Sequence, residues 1–144
     1  MNAGGVDKAC KSSGCSFQHP VLGFQLMNTF RFLDLRVYRD AKVLHRTIVR
    51  GTKDIPREFF YLKDQIRRAA LSVVLNIAEG SGKSSSKDFN RYVQNSLGSV
   101  NEVAACVDIT FGEGIVLEEF AKEALTQARG LKNALGALSK KLKS

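Results

Sequence analysis

The chain has 144 residues, 44% apolar and 25% charged, with only two prolines, a size that suits one domain with its own core. Twenty-two Lys and Arg against 14 Asp and Glu give a formal charge of +8, which favours polyanionic partners and points first to nucleic acid. No apolar run nears the roughly 18 residues of a membrane span, and no apolar stretch of about 7–15 residues opens the chain as a secretory signal would, so a cytoplasmic protein with no membrane role is expected. Cys10, Cys15 and Cys106 are an odd, scattered set, a poor disulfide framework, and reduced thiols are the expectation. Two histidines and no tryptophan leave few groups for metal or acid–base chemistry, so neither a cofactor nor enzymatic turnover is expected.

Residues 1–29 carry Gly4, Gly5, Gly14 and Gly23 among Ser12, Ser13 and Ser16 and show no amphipathic period, which predicts a flexible N-terminal tail ahead of a domain at 30–144. Met27, just before the first patterned segment, is a candidate translation start. From Asp34 onward the apolar positions repeat with the helical period. The first helix, about 34–51, places Val37, Ala41, Leu44 and Ile48 on one narrow face, with Asp34 as N-cap and Gly51 as stop. The second follows Pro56 and runs to Gly80, with Leu62, Ile66, Ala69, Val73 and Ile77 as its core face. A turn-rich link ends in Ser85-Ser-Lys-Asp88, the spacing of a capping box, so the third helix should start near Ser86. Its seam is Phe89, Val93, Ser96, Val100, Val103 and Val107, and Gly112 and Gly114 end it. The fourth, about 117–142, repeats Leu117, Phe120, Ala124, Ala128, Leu131, Leu135, Leu138 and Leu142. Four amphipathic helices on short links predict an all-α, antiparallel up-down four-helix bundle.

The first helix concentrates charge. At about 100° per residue, Arg36, Arg39, Lys42, Arg46 and Arg50 fall within roughly a third of the circumference, opposite the apolar stripe. Residues 30–53 hold seven Lys/Arg and two Asp, a local +5 of the chain's +8, and phosphate backbones are the obvious partner for such an arc. The bland alternative is a solvated outer face. Lys140, Lys141 and Lys143 form a second cluster whose simplest role is to favour a helix C-terminus.

The second helix carries a polar stripe, Gln65, Arg68, Ser72, Asn76 and Glu79, beside its core face, while Leu71, Val74 and Leu75 make the remaining side apolar. Self-association through Leu71, Val74 and Leu75 would account for both features; cover by the tail or a loop is the alternative. Gly98, Gly130 and Gly136 lie inside helices, where close helix approach would offset a cost of about 1 kcal/mol each. Weaker constellations are set aside. Cys10, Cys15 and His19 match no compact zinc spacing. Paired Glu-x-x-His elements for a di-iron site do not occur. Gly80-Ser-Gly-Lys-Ser84 lacks the spacing and preceding strand of a phosphate loop. His45 reads as a solvated flank residue and Cys106 as a small core residue.

The run Gln65-Ile-Arg-Arg-Ala-Ala-Leu-Ser-Val-Val-Leu-Asn-Ile-Ala-Glu-Gly80 closely resembles the signature of the bacterial large-subunit rRNA intervening-sequence proteins. Phe32-Leu-Asp-Leu-Arg-Val-Tyr38, Pro56-Arg-Glu58, Ser86-Lys-Asp-Phe89 and Gly98-Ser-Val-Asn-Glu102 stand in the matching order. The resemblance covers about residues 30–142; Tyr61 stands where the family usually has glycine. It implies a four-helix bundle, a homopentamer with a positively charged surface, and kinship with accessory proteins of diversity-generating retroelements, which bind nucleic acid and a reverse transcriptase. The carried-over signature positions are Gln65, Arg67, Arg68, Asn76, Ala78, Glu79 and Gly80. Gly80 reads as a helix C-cap, and the polar members read as structural, satisfying partners on neighbouring helices. The combined expectation is a non-catalytic, oligomeric bundle that presents the basic arc to RNA or DNA. A protein-interaction scaffold is the alternative.

Overall fold

A computed structural model describes residues 30–144. The expectations for the tail, Met27 and the Cys10, Cys15 and His19 set lie outside the described residues. Within them the chain forms four α-helices and no strand: α1 (Arg36–Gly51), α2 (Phe60–Ser81), α3 (Ser86–Gly112) and α4 (Glu118–Lys143), with short 3-10 turns at Arg31–Asp34 and Arg57–Phe59. Short links reverse the chain at each step, and each helix packs only on its two neighbours around the ring α1, α2, α3, α4. This is the antiparallel up-down bundle that the periodicity calls for.

The core follows the expected stripes. Leu44 and Ile48 of α1, Ile66, Val73 and Ile77 of α2, Val93, Val100, Val103 and Val107 of α3, and Leu131 and Leu135 of α4 are all essentially removed from water, each contributing about 1.5–3 kcal/mol of apolar burial. Alanines at 41, 69, 70, 121, 124 and 128 fill the positions between them. Small side chains there let the helix axes approach, so that few large residues suffice.

Local signals place the ends of α3. Ser85 is its N-cap, with Oγ accepting from the Asp88 amide at 3.0 Å. Asp88 differs from the reciprocal box in one respect: its carboxylate accepts the Ser85 hydroxyl at 2.7 Å. At the other end Gly114 takes φ +68°, and the Ile115 and Gly114 amides donate back to Thr110 and Phe111. This left-handed termination requires glycine.

Several sequence expectations are corrected. Asp34 does not cap α1. It closes the 3-10 turn, and Leu35 takes the cap position without a side-chain bond, because Phe32 folds back onto the Tyr38 ring, 4.8 Å between centroids, and fixes the approach of the chain. Helix α1 stops at Gly51 as expected, though with no left-handed residue there, whereas Gly80 is not a C-cap and lies within α2. Their missing side chains make room instead, Gly51 for the Phe120 ring and Gly80 for Tyr92 and Phe89, where a Cβ would sit 2.6 Å from Tyr92 Cβ. The reverse holds for Gly98, Gly130 and Gly136: a Cβ at any of them meets nothing within 4 Å, so close helix approach does not explain them. Leu117 is the N-cap of α4 and 76% exposed, and Ala121 takes the buried place one turn on.

Candidate nucleic-acid interface

Helix α1 buries Val37, Ala41, Leu44, Thr47 and Ile48, and Thr47 donates to Glu123 of α4 at 3.3 Å. With that side committed to the bundle, Arg36, Arg39, Lys42, Arg46 and Arg50 are all exposed. Arg36 pairs with Asp40 one turn along, 3.5 Å apart. The other four make no ion pair among the described residues. Lys42 lies with its ammonium 5.6 Å from the centroid of the Tyr38 ring. The arc is therefore a row of hydrated cations on a rigid rod about 24 Å long, at 1.5 Å per residue over 16 residues.

His45 flanks the arc on the side toward α2 and is half-buried, not freely solvated as the sequence suggested. Burial first, and the nearby Arg67 guanidinium second, hold its pKa below the ordinary imidazole value, so at neutral pH it adds no cation to the arc.

The polar stripe of α2 behaves differently. Gln65, Ser72 and Glu79 recur at intervals of seven and meet α3 in antiparallel register. Gln65 Nε2 donates to Glu102. The Ser72 and Ser99 hydroxyls share a hydrogen bond of 2.9 Å. Glu79 accepts the Tyr92 hydroxyl at 2.7 Å and the Lys83 ammonium at 3.3 Å. Those two donors, the tyrosine first, hold the Glu79 carboxyl below the usual carboxylate range. Asn76 donates to the Ser72 carbonyl and hydroxyl, 2.9 and 3.1 Å away, and Arg68 donates to Gln65 at 2.9 Å. The buried Ser96 hydroxyl adds a bond to the Val73 carbonyl. The stripe is thus satisfied inside one chain and needs no second subunit.

Arg67 lies on the other side of α2. Its guanidinium donates to Thr52 Oγ1 at 2.9 Å and to the Val49 carbonyl at 3.0 Å. It clasps the C-terminal turn of α1, where a cation also meets the negative end of the helix dipole. Of the apolar trio, Val74 turns inward and is only 8% exposed, while Leu71 and Leu75 stand 43% and 56% exposed. Only those two border an open groove of about 250 Å³ with Arg68 and Asn76. Val74 is core and not surface: it lies one turn from the buried Ala70 and Ile77, and the helices pack closely enough to cover that edge of α2.

The order of these features along the chain is that of a known group. The sequence profile described as 23S rRNA-intervening sequence protein matches residues 33–137. The chain belongs to that family. The match spans α1, α2, α3 and all but the last turns of α4. A search of curated proteins finds no match. Set on this structure, the residues by which the sequence resembles the 23S rRNA-intervening sequence proteins, Gln65, Arg67, Arg68, Asn76, Glu79 and Gly80, serve the α1–α2 clasp and the α2–α3 seam. The arc cations lie on another surface.

Sequence reasoning missed the partners of the stripe, Tyr92, Ser99 and Glu102. The signal was present, since steps of seven and three put Tyr92, Ser99 and Glu102 on one face of α3, as steps of seven do for Gln65, Ser72 and Glu79 on α2. Thr52, fully buried beneath Arg67, carried no such signal in a loop. Cys106 is buried, and burial, then the nearby Glu102 charge, pushes its thiol up, which keeps it a neutral thiol at neutral pH. Among the described residues no cluster of His, Cys, Asp and Glu is placed to hold a metal, and no helix is long and apolar enough to cross a membrane.

Proposed function

We propose that this protein binds RNA or DNA without catalysing a reaction, through phosphate contacts made by Arg36, Arg39, Lys42, Arg46 and Arg50, and that it does so as an oligomer. The observation that carries this reading is the row of exposed α1 cations, four of them outside any ion pair among the described residues. Phosphates spaced along a strand are the polyanion such a row fits, and side chains on one rod carry little means of reading base edges, so binding is weakly sequence-selective. The family name is compatible with an RNA context. A homopentamer, as the resemblance implies, would set copies of the arc side by side and raise avidity without new contacts.

Fluorescence anisotropy over a salt titration tests this. The parent should show a log–log slope of order minus four on duplex DNA, for about five phosphate contacts. Replacing Arg39, Arg46 and Arg50 together by Gln should bring the slope to about minus two with the helical circular dichroism unchanged. Equal affinity for parent and triple variant across the titration would remove α1 as the contact surface.

The second reading is a scaffold for a protein partner, a reverse transcriptase or another, and exposed Leu71 and Leu75 favour it. The same pair is the candidate interface between copies of this chain. Light scattering should report an oligomer at micromolar concentration and a monomer for Leu71→Glu with Leu75→Glu. A parent that is itself a soluble monomer leaves the leucines for a different protein.

A further inference from the structure

The turn that leads into α1 carries phenylalanines where a surface turn normally carries polar residues. Phe30 is 46% exposed. Its ring lies 5.6 Å from that of Phe32, which lies 4.8 Å from Tyr38, over which Lys42 sits. A continuous row of rings thus runs from a cation of the α1 arc to the mouth of an open cleft of about 420 Å³, within the roughly 300–1,000 Å³ typical of small-ligand sites. Phe30, Arg31 and Phe32 form one wall; Glu79, Gly82 and Lys83, at the end of α2, form the other. Lys83 is held there by Glu79 and by the Tyr92 ring, 4.9 Å away. Arg31 makes no ion pair among the described residues, so the rim is net cationic although Glu79 is part of it.

An exposed ring, Phe30, backed by the half-buried Phe32 and flanked by cations suits one chemistry: an unpaired base that stacks and a phosphate that is held beside it. A duplex cannot use such a cleft, because its bases already stack on one another. We propose that this cleft captures an unpaired nucleotide of a single strand lying along α1, with the base against Phe30 and Phe32 and the phosphate at Arg31 and Lys83. The proposal rests on the reading of α1 as a nucleic-acid surface and adds a preference for single strands. Stacking requires only a π-face, so the preference is independent of sequence and of the sugar.

The test is anisotropy with three labelled probes of one sequence: single-stranded RNA, single-stranded DNA and duplex DNA. Phe30→Ala, at an exposed position outside the core, should retain the parent's circular dichroism. It should weaken both single strands roughly tenfold and leave the duplex within about twofold, as expected where only stacking is lost. Lys83→Gln should weaken single strands in the same sense. A single strand containing 4-thiouridine should, on irradiation, crosslink to the peptide that holds Phe30. Equal loss on duplex and single strands would overturn the proposal. So would an unchanged Phe30→Ala variant when the triple α1 variant loses binding, a result that leaves the α1 reading standing. A parent that binds none of the three probes overturns both.

Discussion

The outer face of α1 and the seam between α2 and α3 are both rich in polar side chains, but they use them in opposite ways. Along the seam, Gln65, Ser72 and Glu79 each find a partner on α3, so their hydrogen bonds hold two helices in register. On α1 the cations face water, and only Arg36 has an ionic neighbour among the described residues. A hydrogen-bonding group that is satisfied within the fold contributes chiefly to specificity of packing. An unpaired surface cation contributes little to stability and is available to a polyanion. The recognisable residues of the chain fall on the first kind of surface and the candidate binding residues on the second, so a signature is a guide to the fold before it is a guide to the ligand.

That contrast breaks most readily at Gly80, where the seam is tightest. Gly80→Val places new atoms against the Phe89 ring and Tyr92 Cβ, and that Cβ cannot yield without moving α3. A loss of about 3 kcal/mol is expected, read as a lowered urea midpoint. Gly98→Ala, on an open part of α3, should instead stabilise by up to about 1 kcal/mol. If both glycines tolerate substitution alike, the seam is not the close contact described.

Arg67 gives a smaller effect and sharpens the distinction between structural and binding arginines. Arg67→Met should cost about 2 kcal/mol, because Thr52 and the Val49 carbonyl lose a charged donor. Its influence on nucleic-acid affinity, once corrected for the folded fraction, should be slight. A large loss of affinity in a fully folded Arg67→Met protein would move the binding surface toward the α1–α2 edge.

The smallest effect is one of pH. The His45 pKa in the folded chain lies below its ordinary 6.5, so the unfolded chain binds the proton more readily. The associated stability is present above about pH 6.5 and declines as pH falls toward the folded value. Urea midpoints at about pH 7.5 and 5.5 should therefore converge in His45→Gln relative to the parent. An equal difference in both proteins would assign the pH dependence to other groups.

Much of this was legible in the sequence because helical period and capping chemistry are local. Val37, Ala41, Leu44 and Ile48 mark a buried stripe by spacing alone, and Ser85 with Asp88 marks the start of α3 within one residue. The basic arc was legible for the same reason, since five cations on one helix must share a face whatever the rest of the chain does. Its exposure followed too, because the arc lies opposite that stripe; what the stripe did not show is that Thr47 joins it by reaching Glu123 of α4.

The sequence by itself determined four amphipathic helices, their order and the opposition of charge and apolar face on α1, all of which follow from the rotation of about 100° per residue. Only the tertiary structure decided what the glycines are for, since a missing Cβ has meaning only once Phe120 or Tyr92 lies against it. It also decided that Val74 faces the core while Leu71 and Leu75 face outward, and that Arg67 reaches Thr52 across a loop. These depend on distances between residues far apart in the chain, set by how closely the helices pack, and no local pattern encodes them.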